Sequence, residues 1–306
     1  MPKKEYQVTP LSGLDQRLDV FLSEKIKNLA RSQIQKIIEE KKARINGFAR
    51  KSSYRLKQGE IVEIEYKTSE PERIQSEKIP VNVVYSDSFI VVIDKPTGMV
   101  VHPGAGNRKH TLVNALLYKF PEIKEVGPEE RPGIVHRLDK ETSGLIVVAR
   151  NKKSYRELQW QFRLREVEKL YLGLIWGKMS KKEGTISWPI GRHIKHGERI
   201  SVKTKKPKAA ETRFIVKKEY KEFTFLEIRP VTGRTHQIRV HLAASGHPLL
   251  GDMRYGRKKP VIECTRLFLH ASCLSFIHPD TGKRVKFFSP LPRDLNSILD
   301  KLKNQP

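Results

Sequence analysis

The chain has 306 residues, which suggests about two domains and a core that needs no disulfide or metal staple. Lysine and arginine number 60 against 34 acidic residues, a net charge of +26, so the expected partner is a polyanion, nucleic acid before membrane. No run approaches the ~18 apolar residues of a membrane span, and no apolar segment follows Met1-Pro2-Lys3-Lys4-Glu5, so neither anchor nor secretory leader is expected.

Residues 1–67 read as a small unit. Leu18, Phe21, Leu22 and Ile26 share one helical face. Ser32 with Gln35 three residues later predicts a capping box opening a second helix with Ile34, Ile37 and Ile38. Asn46-Gly47 after Ala43-Arg44-Ile45 is a hairpin turn signal. Ile61 to Tyr66 alternates at period two, as a strand does. The polar, proline-containing stretch 68–79 reads as a linker. From 80 to 306 strands dominate. They are expected at Phe89–Ile93, Leu145–Ala149, Tyr171–Trp176, Thr224–Ile228 and Ala271–Ile277. Helices are expected at Leu112–Tyr118, from Ser154 to about Arg165, and at Ile238–Ala244. The fold class is α+β with a mixed or antiparallel sheet, not a βαβ repeat.

The charge is uneven: +5 over residues 1–76 and +21 over the remainder. Its densest segment, Arg192 to Lys221, reads as a connector with Lys203, Lys205, Lys206 and Lys208 close together. Phosphate contact and plain solvation both account for it. Only Cys264 and Cys273 are present, which excludes a secreted disulfide scaffold and fits the cytoplasm. Zinc-ligand spacings and the phosphate-binding glycine loop are missing, so no metal and no nucleotide cofactor is expected.

Two polar clusters interrupt apolar surroundings. In Gly133-Ile-Val-His-Arg-Leu-Asp-Lys-Glu-Thr-Ser-Gly-Leu145, Arg137 and Asp139 share a face if the backbone is extended. In Thr232-Gly-Arg-Thr-His-Gln-Ile-Arg-Val-His241, His236 and Arg239 share a face if the segment is helical. Asp139 precedes an apolar strand and needs a cationic partner, for which Arg239 is the candidate. Residue types alone leave two readings open, a catalytic carboxylate or a structural salt bridge.

His136-Arg-Leu-Asp-Lys-Glu-Thr-Ser-Gly-Leu145 resembles the signature of the RluA-type pseudouridine synthases. Further blocks follow in family order: Lys95-Pro-Thr-Gly-Met-Val-Val-His-Pro-Gly-Ala-Gly106, Arg131–His136, Pro189–His193, Gly233–His241, Gly251-Asp252, Tyr255-Gly256 and Leu269-His270-Ala271. Residues 1–67 resemble the S-four type RNA-binding domain. The Val-His-Pro-Gly-Ala-Gly block with Thr111–Leu117 resembles the RluD branch, which acts on large-subunit ribosomal RNA. His110 departs from that branch, which commonly has glycine there.

The resemblance implies a small RNA-binding domain followed by a pseudouridine synthase catalytic domain. It implies Asp139 as the catalytic aspartate, Tyr171 as the ring that stacks on the target uracil, and Arg239 as the partner of Asp139. Arg137 would hold the target nucleotide out of the helix, and Leu269 would pack beneath Tyr171. Arg234 and His236 would bind substrate. Taken alone, Tyr171 and Leu269 read as core residues. The implied partner is RNA, ribosomal first and transfer RNA second, with no DNA, no membrane and a monomeric chain. A non-catalytic RNA-binding protein is the competing class, and the presence of Asp139, Tyr171 and Arg239 argues against it.

Overall fold

The structure is a computed structural model that describes residues 3–26, 29, 31–66, 74–104, 107–197, 199–256 and 264–303. It divides into two compact units, Met1–Arg73 and Ile74–Pro306.

The first unit holds β1 (Lys3–Gln7), α1 (Leu18–Lys25), α2 (Arg31–Glu39), β2 (Ala43–Ile45), β3 (Phe48–Ala49) and β4 (Ile61–Glu65). The strands form an antiparallel sheet in the order β1-β4-β2-β3. Leu18, Phe21 and Leu22 of α1 and Ile34 and Ile38 of α2 are buried with Val62 and Ile64 of β4. Asn46 and Gly47 both have positive φ, which matches the twist of a two-residue hairpin. Gly13 at φ +96° lies against the Phe21 ring, where a Cβ would sit 2.5 Å from a ring carbon.

The expected capping box at Ser32 does not form. Helix α2 already begins at Arg31, so Ser32 lies inside its first turn. Gln35 instead donates its amide to Asp19, 2.6 Å away. Asp19 is fully buried and also accepts from Arg17 and Arg31. Burial alone would raise its pKa, but these donors hold it well below the usual carboxylate range.

The second unit contains β5 (Asn82–Ser86), β6 (Ile90–Lys95), α3 (Leu112–Lys119), a 3-10 turn (Pro121–Glu125), β7 (Ser143–Ala149), α4 (Lys152–Leu164) and β8 (Glu168–Trp176). It continues with β9 (Glu183–Ile186), β10 (Gly191–Arg192), β11 (Ile200–Ser201), β12 (Thr212–Glu219) and β13 (Phe223–Pro230). Last come α5 (Gln237–Ala244), β14 (Leu269–Ile277), β15 (Arg284–Phe288) and α6 (Arg293–Lys303). Nine strands form one sheet, in the order β5-β6-β7-β14-β8-β13-β12-β9, with β15 also on β14.

That sheet is mixed, because β7 and β14 run parallel and the other pairings are antiparallel. Strand β14 has β8 along one edge. Its other edge is shared, β7 beside His270-Ala271 and β15 beside Cys273–Ile277. The close approach of β7 requires Gly144, since a Cβ there would overlap the Ala271 carbonyl.

Alternation divides the core. Val91, Ile93, Ile146 and Val148 pack with α3, while Ile90, Val92, Val147 and Ala149 pack with Tyr155 and Leu158 of α4. Helix α5 buries Ile238 and Leu242 against β8 and β13. Helix α6 buries Leu295, Ile298, Leu299 and Leu302 against Leu174 and Trp176 of β8. Sequence reading passed over α6, although its i, i+3, i+4, i+7 spacing carries the signal.

Three expectations are refined here. The segment from Arg192 to Lys221 is not one connector, since β10 and β11 pair within it and β12 occupies Thr212–Glu219. Of the expected linker, residues 68–73 lie outside the described residues, as do Ala105 and Gly106 of the Lys95–Gly106 block. Residues 74–79 lie along α3: Ile74 packs on its core, and Gln75 accepts from Asn114. Third, His110 sits in the left-handed region at φ 57°, which explains why glycine suits the position. Both its Nδ1 and its backbone N–H reach Glu77, at 2.6 and 3.0 Å.

Candidate active site

The segment before β7 is pinned from inside. Ile134 and Leu138 are buried in the α3 core, and Ile134 bridges to Val148. Arg137 is therefore left exposed and Asp139 only partly covered. From behind, Lys95 at the end of β6 is fully buried and donates to the carbonyls of Pro96, Met99 and Lys140. Burial pulls its pKa down to about 7, opposed by the charge of Asp139. Gly98 N–H also donates to the Lys140 carbonyl. The backbone beside Asp139 is thus held by a second loop.

The start of α5 is fixed by Gln237. Its side-chain oxygen accepts from Thr232 and from Arg234 N–H, and its amide donates to the Glu211 carbonyl and to Thr212 Oγ1. The shared helical face of His236 and Arg239 does not form, because His236 precedes α5 with φ 53°. Its Nδ1 shares a hydrogen bond with the Tyr255 hydroxyl, 2.9 Å away, and its Nε2 lies 3.9 Å from Asp139. Burial, with Arg239 and Arg254 nearby, lowers its pKa against the pull of Asp139.

Arg239 projects from the first turn of α5 and is 4% exposed. The expected pairing with Asp139 is present but secondary. Arg239 Nε and Nη2 each donate 2.8 Å bonds to the Asp252 carboxylate, the bidentate arrangement that a guanidinium fork matches best. Nη1 remains, 3.2 Å from Glu141 and 3.6 Å from Asp139. Burial opposes the charge on Arg239, but Asp252, Asp139 and Glu141 outweigh it and raise its pKa. Asp252 is itself held by Arg254 and Tyr255 N–H groups at 3.0 Å. Sequence reasoning assigned Asp252 no role. Its signal was the Gly251-Asp252 block, but nothing local names Arg239 as its partner.

Asp139, His236, Gln237 and Arg239 face an open cleft of about 510 Å³. All seven residues expected at the site line it: Arg137, Asp139, Tyr171, Arg234, His236, Arg239 and Leu269. Tyr171 on β8 lies opposite Ala271 of β14 and Ile228 of β13, and packs against the core that includes Leu269. Burial raises the pKa of its phenol, and Asp139 adds to this, so it stays neutral. Among the described residues, Asp139 is the sole carboxylate in the lining, facing Arg137, Arg163, Arg165, Lys169, Arg234 and Arg239. Burial beside Arg165 lowers the Lys169 amine to about 8. His136, which sequence reading left without a role, stacks on Phe162 at 4.4 Å and accepts the Val147 N–H at Nε2.

A neutral aromatic face, a carboxylate with an arginine behind it, and a basic rim suit a flipped nucleotide held by its phosphates. Comparisons with known proteins agree. Residues 89–244 match the model of the RNA pseudouridylate synthase family, and residues 16–62 match the S4 domain. The chain belongs to the RNA pseudouridylate synthase family, in its RluA-type group, and carries an S4 RNA-binding domain.

Two relatives and one solved structure fill this out. An "Uncharacterized RNA pseudouridine synthase" of Aquifex aeolicus is 42% identical over 94% of each chain. "Ribosomal large subunit pseudouridine synthase D" of Nitrosomonas europaea is 40% identical over 97% of this chain and 86% of the relative. The solved structure of human RNA pseudouridylate synthase domain containing 1 superposes with a TM-score of 0.57 at 27% identity. It covers 78% of this chain and 99% of its own. The protein is thus an isomerase that converts uridine in RNA to pseudouridine.

Proposed function

We propose that its substrate is large-subunit ribosomal RNA and that Asp139 carries the reaction. The observation behind the second part is the isolation of Asp139 in a basic cleft, with Arg239 at 3.6 Å. Support for the first part comes from similar chains named for the ribosomal large subunit, in Nitrosomonas europaea, Haemophilus influenzae and Pasteurella multocida.

The reaction breaks the bond from ribose C1′ to uracil N1 and makes one from C1′ to C5. N1 gains a proton and C5 loses one, so no atom or electron is exchanged with a co-reactant. Extruding the base costs about a few kcal/mol, and stacking on Tyr171 returns roughly 1–3 kcal/mol. Leu269 sets the height of the Tyr171 ring. Arg137 fills the space the base leaves, and Arg234 and His236 hold the nucleotide. The carboxylate of Asp139 serves either route open to it, attack at C1′ or removal of a ribose proton. Arg239 places its positive charge 3.6 Å from that carboxylate, and Asp252 keeps Arg239 in place.

The test supplies unmodified transcripts of large-subunit ribosomal RNA and of transfer RNA, without cofactor, and counts pseudouridine by nucleoside mass spectrometry. Gain in the ribosomal transcript is expected. Gain in transfer RNA alone would overturn the substrate and keep the chemistry. Affinity should also fall steeply with salt, as phosphate contacts require.

A further inference from the structure

Helix α4 carries an aromatic and cationic stripe that the chemistry above does not use. Arg156, Trp160, Arg163 and Leu164 recur at i, i+4, i+7 and i+8, so they share one face. It faces solvent: Trp160 is 54% exposed and Leu164 is 49% exposed. The helix is anchored by other residues, Tyr155, Leu158 and Gln161, so packing does not account for the indole. The Arg163 guanidinium lies over the Trp160 ring, 5.5 Å from its centroid. Arg163 also lines the cleft with Phe162 and Arg165. The indole is therefore one side chain away from the cleft that takes the target base.

We propose that Trp160 is a stacking platform for an unpaired nucleotide of the substrate RNA next to the target uridine, with Arg156 and Arg163 on its phosphates. This rests on the pseudouridine synthase reading, but not on which RNA is the substrate. Pulling one base out of a strand strips its neighbour of a stacking partner. An exposed indole flanked by guanidinium groups replaces that partner whatever the neighbour's identity. Charge selects RNA over a protein partner. Along α4 the exposed side chains include Lys152, Lys153, Arg156 and Arg163, against one carboxylate, Glu157. That excess of positive charge suits a phosphate backbone.

The test uses the full chain as wild type, Trp160→Ala and Trp160→Phe on both transcripts. Trp160→Ala should raise KM by about tenfold, the loss falling on KM rather than kcat, and Trp160→Phe should recover most of it. The chain has three tryptophans, and Trp176 is buried. In a Trp188→Phe background, single-stranded oligouridine should therefore quench the emission of Trp160, and Trp160→Phe should abolish that response. An unchanged KM for Trp160→Ala, or no quenching, overturns the proposal. So does a Trp160-dependent dimer in sedimentation, which would assign the face to a second copy. Wild type that forms no pseudouridine in either transcript would sink the functional reading instead, and the quenching would still decide the stacking.

Discussion

Asp19 and Asp139 are both aspartates beside arginine, and they differ in how much of the carboxylate is already used. Asp19 in the first unit is fully buried and accepts from Arg17, Arg31 and Gln35 at 2.6 to 3.1 Å. Its lone pairs are committed to joining α1 to α2. Asp139 in the second unit is 15% exposed, and its neighbours Arg239 and His236 stand back at 3.6 and 3.9 Å. Asp252 takes the strong bonds of Arg239, which leaves Asp139 in a positive field with no closer cation among the described residues. A saturated carboxylate holds a fold, and an unsaturated one in a cleft is available for chemistry.

Removing each carboxylate separately sharpens that contrast. The largest effect is expected at Asp139. Asp139→Asn should lower turnover by about 10²–10⁴-fold while RNA affinity stays within a few-fold in a filter-binding titration. Next is Asp252→Asn. Arg239 is nearly inaccessible to water, so removing the charge of its bidentate partner should cost about 3–5 kcal/mol in denaturant unfolding, and turnover should also fall. At Asp19 the partners Arg17 and Arg31 are 41% and 51% exposed and regain water when released. Asp19→Asn should therefore cost less, about 1–3 kcal/mol, with kcat at saturating RNA retained.

At neutral pH the smallest effect is that of His136, which shows only in acid. Burial pulls the His136 pKa to about 3, against 6.5 ordinarily. Between those values the unfolded chain binds the proton and the folded chain does not. Stability through this group is complete above about pH 6.5 and drains away by about 1.4 kcal/mol per unit as pH falls towards 3. The urea midpoint plotted against pH should have a shallower acid limb in His136→Gln.

Much of this was legible in the sequence because it is local. The α1 face and strand β4 follow from periods of 3.6 and 2, and the Asn46-Gly47 turn from its residue types. Asp139 and Arg239 were paired from charge and burial, and Tyr171 joined them only by resemblance, since no spacing rule links residues this far apart. What stayed hidden is the choice among partners. Asp139 and Asp252 are both plausible anions for Arg239, and only the loop after α5 decides that Asp252 takes the fork. Lys95 only opens a family block in the sequence, yet its amine reaches three carbonyls on two loops. The Ser32 cap failed because α2 starts one residue earlier and Gln35 is claimed by Asp19.

The most direct test pairs two readings on one preparation of Asp139→Asn: single-turnover pseudouridine formation and the melting temperature. The account predicts loss of turnover with the melting temperature unchanged within about 2 °C, because Arg239 keeps Asp252. Turnover near the wild-type rate, or a melting loss as large as that of Asp252→Asn, would contradict it and make Asp139 a structural ion.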